Sequence, residues 1–226
     1  WNYLIACLCT IITCSMYQAY LGVILGLFVI YTISQFLREK NVKDILLEVL
    51  KDIVTIGIGI IIYYLILKVI LAILGLSLAS YKGADSLGIN TIKALPKSII
   101  QTYRDFYHFF FTNKIIRNSY YKRMQINSAL FMISLIGLIL NFVSMKGNKK
   151  ILRIVLTILA IITFPIVVSI MDLIAPSTTV NLVTGPGIIT SVVLMIVIYN
   201  NLKNNSINNI IKYLCIILIT ILTNSF

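Results

Sequence analysis

Hydrophobic residues in this chain fall into long unbroken runs, with the polar residues collected between them. Tyr3 to Cys14, Leu21 to Leu37, Ile53 to Leu76, Ala129 to Val143, Ile151 to Ile170, Ile188 to Tyr199 and Ile210 to Leu222 are almost wholly apolar. Several approach the ~20 residues that a helix needs to cross hydrocarbon, and the shorter ones reach it by borrowing from their edges. Their many Ile and Val residues favour strands in water. A membrane barrel, however, alternates apolar and polar positions, and these runs do not alternate, so helices are expected. The pattern predicts an all-α, polytopic membrane protein with about seven transmembrane helices, making one transmembrane domain over residues 1–226.

The stretch from Ser77 to Gln125 departs from this pattern. Pro96 can open a helix there. In that helix Ile99, Tyr103, Phe106, Tyr107 and Phe110 recur at i, i+4, i+7, i+8 and i+11, while Lys97, Gln101, Arg104, Asp105 and His108 fall on the opposite side. An aromatic face opposite a basic one suits the boundary between hydrocarbon and headgroups, so the segment reads as an amphipathic interfacial helix.

Charge gives the runs a direction. Arg38, Lys40, Lys43 and Lys51 cluster in one connection, Lys146, Lys149, Lys150 and Arg153 in another, and Lys203 and Lys212 in a third. The positive-inside rule puts all three in the cytoplasm. The Ser15 to Ala19 turn has no charge and the Asp172 to Gly187 connection has no base, so both face outward. Ser77 to Gln125 then lies outside too, which makes its helix extracytoplasmic. Long loops obey the charge rule weakly, and that accommodates its Lys and Arg residues.

Composition closes off the soluble alternatives. The chain is 59% hydrophobic and only 12% charged, too little charge to cover a surface facing water. A net charge of +12 would suit nucleic acid, yet the basic residues sit between spans, where headgroups and topology account for them. Membrane lipid is therefore the expected partner, and nucleic acid is not. The four cysteines lie inside apolar runs without metal-ligand spacing, as small packing residues would. The chain opens on Trp1 with neither a basic n-region nor a cleavage site. It reads as a fragment lacking N-terminal spans and a first outward loop.

No Walker loop, His-Glu-x-x-His, nucleophile elbow or Cys-x-x-Cys occurs, and neither a metal nor a cofactor is indicated. Of the seven acids, Glu39, Asp44, Glu48 and Asp52 belong to the cytoplasmic segment before the third span, leaving Asp85, Asp105 and Asp172 outside. Asp172 follows a long span and precedes Ala175-Pro176-Ser177; a negative charge there opposes the helix macrodipole. It can bind a hydroxyl-rich substrate or act as a base, or it can simply cap the loop in solvent. Lys68 lies about two turns from the outer end of the third span, where its stem can snorkel or its ammonium can meet a phosphate. Tyr17-Gln18-Ala19-Tyr20 offers hydrogen bonds to a sugar or polar lipid, or only interfacial anchors. Tyr81-Lys82-Gly83-Ala84-Asp85 sets a cation and a carboxylate beside a glycine. His108, the single histidine, is one turn beyond Arg104 and reads as polar surface.

Taken in order, these segments resemble the Gtr-type bacterial glucosyltransferases that decorate O-antigen or related surface polysaccharides. Ser15-Met16-Tyr17-Gln18-Ala19-Tyr20-Leu21-Gly22 is similar to that family's Tyr-Gln-(Ala/Ser)-Tyr signature between two spans. Tyr63-Tyr64 leading to Ser80-Tyr81-Lys82-Gly83, followed by the aromatic helix, is similar to its next landmark. The resemblance runs through most of the chain. It implies a GT-C-like multi-span enzyme in the bacterial cytoplasmic (inner) membrane with its active face outward. Such an enzyme moves glucose from a polyprenyl-phosphate donor to a polysaccharide acceptor by inverting transfer, with no cofactor beyond the lipid-linked sugar.

GT-C enzymes usually draw their catalytic base from an acid in the first outward loop. The resemblance therefore implies a base upstream of Trp1, with Asp172 the candidate within this chain. Lys82 and Arg104 would meet the lipid phosphate, and Tyr17, Gln18, Tyr81 and Asp172 the sugar hydroxyls. Two other classes compete: a transporter or flippase for lipid-linked sugars, toward which Pro165 inside a span points, and a non-catalytic membrane subunit. Internal repeats and buried charges would mark a transporter; here no repeat occurs and most charges are interfacial, which favours the enzyme.

Overall fold

A computed structural model describes residues 2–16, 20–38, 40–76, 89–112, 121–147, 149–174 and 186–202, with helical pieces at 209–210, 212–214 and 216–217. The described residues contain helices and no strand. Eight helices follow in order: α1 (Asn2–Met16), α2 (Leu21–Leu37), α3 (Val42–Leu74), α4 (Ile89–Phe111), α5 (Tyr121–Ser144), α6 (Lys150–Val168), α7 (Ile170–Ile174) and α8 (Pro186–Asn200). Among the described residues three helical stretches are long and apolar enough to cross a membrane: Val42–Leu74, Ile126–Ser144 and Lys150–Val168. Helices α1, α2 and α8 are as apolar but run to only 15, 17 and 15 residues.

Helix α2 covers the predicted Leu21–Leu37 residue for residue and is buried over most of its length, with Leu27 and Tyr31 left exposed. Helices α6 and α8 enclose it. Ile30, Ile33 and Leu37 of α2 meet Phe164 and Val168 of α6 and Ile188, Leu194 and Ile198 of α8 in the main core. Glycine permits the approach. A Cβ on Gly22 or Gly187 would collide with the Val168 carbonyl oxygen, and one on Gly26 would come within 2.7 Å of Thr190 Oγ1. Gly22 and Gly26, four apart, thus form a close-packing seam of the kind that associates helices in lipid, where water supplies no driving force. Asn141 of α5 adds a polar tie, its Nδ2 donating to the Ile198 carbonyl at 3.0 Å.

Three boundaries differ from the sequence reading. Helix α3 begins at Val42 rather than Ile53, so Lys43 and Lys51 are helical and do not belong to a connection. The Asn41 side chain accepts the Lys43 N–H at 3.3 Å as an N-cap, and Val42, Ile45 and Val49 rest on Phe36 and Leu156. Its 33 residues end at Gly75 in the left-handed conformation, φ 63°. Helix α4 begins at Ile89, so Pro96 sits inside it; the proline forgoes one bond to the carbonyl four residues back without ending the helix. The fifth apolar run divides at Ser169. Pro165 interrupts the hydrogen-bond ladder near the end of α6, and Asp172 stands on the separate single-turn α7 rather than at the end of one long span.

Candidate functional site

Helix α4 packs on α5, α6 and α7. Tyr103 Oη donates to the Ile162 carbonyl at 2.7 Å, three residues before Pro165. The Phe106 ring lies edge-on to Phe164 at 6.2 Å, and Phe110 sits between Phe106 at 5.0 Å and Phe131 at 5.1 Å. The aromatic stripe is therefore split. Phe110 is buried and Phe106 partly so within the protein, while Ile99, Tyr103 and Tyr107 remain exposed. A helical period identifies an apolar face, but it does not say whether protein or lipid will cover that face.

The polar side is split as well. Lys97, Gln101 and Arg104 are exposed and His108 is half-buried, but Asp105 is only 6% exposed. It lies in line with buried Ser98 and Thr102 at i, i+4 and i+7, a small-polar face turned into the protein. Gln101 Nε2 donates to Asp105 Oδ1 at 2.9 Å, and Oδ2 has no partner among the described residues. Burial pushes the Asp105 carboxyl above its usual range. The Gln101 hydrogen bond and the charges of His108 and Arg104 oppose that shift without cancelling it. Thr102 donates to the Ile99 carbonyl at 2.8 Å, and His108 Nδ1 shares a hydrogen bond with Thr112 Oγ1 at 2.8 Å.

This arrangement sets an exposed guanidinium, Arg104, on the same helix as two exposed tyrosines. Guanidinium is a planar donor fork that stays charged at any working pH and matches phosphate geometry. Helix α7, which carries Asp172, packs against α4, so the backbone brings these two expected site residues onto touching elements. Tyr17, Gln18, Tyr81 and Lys82 lie outside the described residues. Asp105 was not among the residues expected to bind substrate. The spacing of Ser98, Thr102 and Asp105 carried the signal, as a polar face with the same period as the aromatic one.

A cavity of about 270 Å³ opens between α1, α2 and α3. Asp52, Thr10, Thr13 and Thr55 line it with Phe28 and Ile24. The three hydroxyls donate back along their own helices, to the Ala6, Cys9 and Lys51 carbonyls at 2.9, 2.7 and 2.8 Å, so their oxygens face the space as acceptors only. None of the residues expected to bind substrate lines it. Lys68 lies farther along α3, its ammonium 5.0 Å from the Tyr64 ring centroid.

No curated protein and no solved structure matches this chain. A family model described as glucosyl transferase GtrII matches residues 1–184, a range that includes the Tyr17-Gln18-Ala19-Tyr20 segment, α4 and α7. On that match, the chain belongs to the GtrII glucosyl transferase family.

Proposed function

We propose that the protein is a membrane glucosyltransferase that moves glucose from a polyprenyl-phosphate donor to an O-antigen-like or other cell-surface polysaccharide at the outer face of the bacterial inner membrane. The observation that carries this reading is α4. In a chain of the GtrII glucosyl transferase family, it holds Arg104 and two tyrosines exposed while Phe106 and Phe110 pack it onto α5 and α6. Exposed aromatic residues beside a cation suit the headgroup level, where a lipid-borne phosphate sits. With α4 as the outward interfacial helix, the remaining apolar runs make about seven crossings, and the basic connections fall on the cytoplasmic side.

In this reading an acceptor hydroxyl attacks the anomeric carbon of the donor and the bond to the phosphate oxygen breaks. The transition state builds negative charge on the departing lipid phosphate. Arg104 and Lys82 neutralise that charge, a service worth most while the bond is breaking. Tyr17, Gln18, Tyr81 and Asp172 hold sugar hydroxyls, and Asp172 is the candidate within the chain for accepting the nucleophile's proton. The test is transfer of labelled glucose from polyprenyl-phosphate-glucose by membranes carrying the full-length protein. Arg104→Ala, Lys82→Ala and Asp172→Asn should each lower the rate by about tenfold or more. Full activity in all three would remove the assigned site, and absence of transfer by the wild type would remove the function.

A further inference from the structure

Lys68 is a cation in an otherwise apolar stretch of α3, with no other charged residue between Asp52 and Leu74. It does not face the protein. Ile61, Tyr64, Leu65, Lys68 and Ala72 form one exposed ridge at helical spacing. The open side of that ridge extends back to Gly57, where an added Cβ would find nothing within 4 Å. Among the described residues the ammonium meets no carboxylate, and its neighbour is the Tyr64 ring at 5.0 Å, a cation–π pair at i, i+4. Lys68 lies seven positions before the left-handed Gly75 that closes the helix, about 10 Å along the axis.

A positive charge at that depth, supported on one side by a ring face and open on the other to hydrocarbon, attracts an anion that is itself anchored in the membrane. We propose that Lys68 and Tyr64 are a docking point on the membrane-facing side of α3 for the phosphate headgroup of an embedded lipid. The proposal rests on the reading that α3 lies in the bilayer. The lipid's chains lie along Ile61 and Leu65, and its phosphate takes the ammonium's free donors. A water-soluble phosphate gains nothing from those apolar neighbours, and this identifies the ligand as lipid-borne.

The experiment uses the whole chain in phosphatidylcholine nanodiscs doped with phosphatidylglycerol, with bound anionic lipid counted by native mass spectrometry. Lys68→Gln should weaken phosphatidylglycerol binding by about fivefold or more, Lys68→Arg should keep it, Tyr64→Phe should keep it and Tyr64→Leu should lose about twofold to threefold. Lys40→Gln, just ahead of the start of α3, should change nothing. Unchanged binding in Lys68→Gln overturns the proposal, as does equal competition by soluble glycerol phosphate. Failure of the wild-type protein to transfer glucose would instead count against the proposed function and leave this binding measurement standing.

Discussion

Gly22→Ala tests whether the α2, α6 and α8 crossing depends on backbone contact. The added methyl has no free direction, because its carbon would run into the Val168 carbonyl oxygen, and a main-chain atom cannot swing aside as the end of a side chain can. Because the colliding atom is main chain, the upper part of the usual overpacking cost applies, about 2–3 kcal/mol, and the helix preference of alanine over glycine returns about 1 kcal/mol, so a net loss of about 1–2 kcal/mol is expected. Gly57→Ala supplies the control, since it gains the same preference and meets nothing within 4 Å. For a chain of this size 1 kcal/mol moves Tm by about 2–4 °C. Thermal unfolding in mild detergent, followed by circular dichroism, should therefore show Gly22→Ala below the wild type by several degrees and Gly57→Ala level with it or above. If the two variants moved together, or Gly22→Ala matched the wild type, the close-contact account of the core would be wrong.

Three further outcomes follow from the geometry around α4 and α5. An acid whose folded pKa is raised keeps its proton in the native state where the unfolded chain has lost it, so Asp105 lowers stability as pH climbs from about 3.8 to its folded value and has no further effect above that. Asp105→Asn should flatten that slope and leave the variant more stable than wild type above the window; an unchanged pH profile of unfolding would refute this. Tyr103→Phe removes the bond to the Ile162 carbonyl beside the proline break and should cost about 1 kcal/mol, read from denaturant unfolding. Asn141→Leu removes an interhelical hydrogen bond to Ile198 and should cost about 0.6–1.7 kcal/mol in the same measurement, with no change expected if the bond is absent in lipid.

The sequence made the class of fold legible because continuous apolar runs have few physical solutions, and α2 came out with its predicted ends. It also contained the α3 start: Val42, Ile45 and Val49 repeat at i, i+3 and i+7, but the charges of Lys43, Asp44, Glu48 and Lys51 masked that stripe. The close approach at Gly22 and Gly26 was likewise visible as a small-xxx-small spacing. What periodicity could not supply was the partner of each face on α4. Its aromatic side is shared between core and exterior and its polar side between solvent and a buried carboxylate, because α5, α6 and α7 pack on part of each. Only tertiary contact decides such a division. The family's motif residues were legible as a resemblance, and the family match supports that reading.

The core and α4 are mechanically one object. Gly22 and Gly187 hold the Val168 carbonyl, the last residue of α6, in a slot with no slack. One residue later the chain turns at Ser169 into α7, and α7 leans on α4. Tyr103 ties α4 back to α6 just before the proline, so the loosened turn is braced from both sides. Two buried polar atoms, Ser169 Oγ at this turn and Asp105 Oδ2 on α4, have no hydrogen-bond partner among the described residues. A buried group left unsatisfied is costly, and native proteins tolerate that cost mainly where a rigid scaffold presents chemistry. The tight glycine slot fixes the end of α6, and through the Ser169 turn and the Tyr103 bond it fixes where α7 and α4 stand against that end.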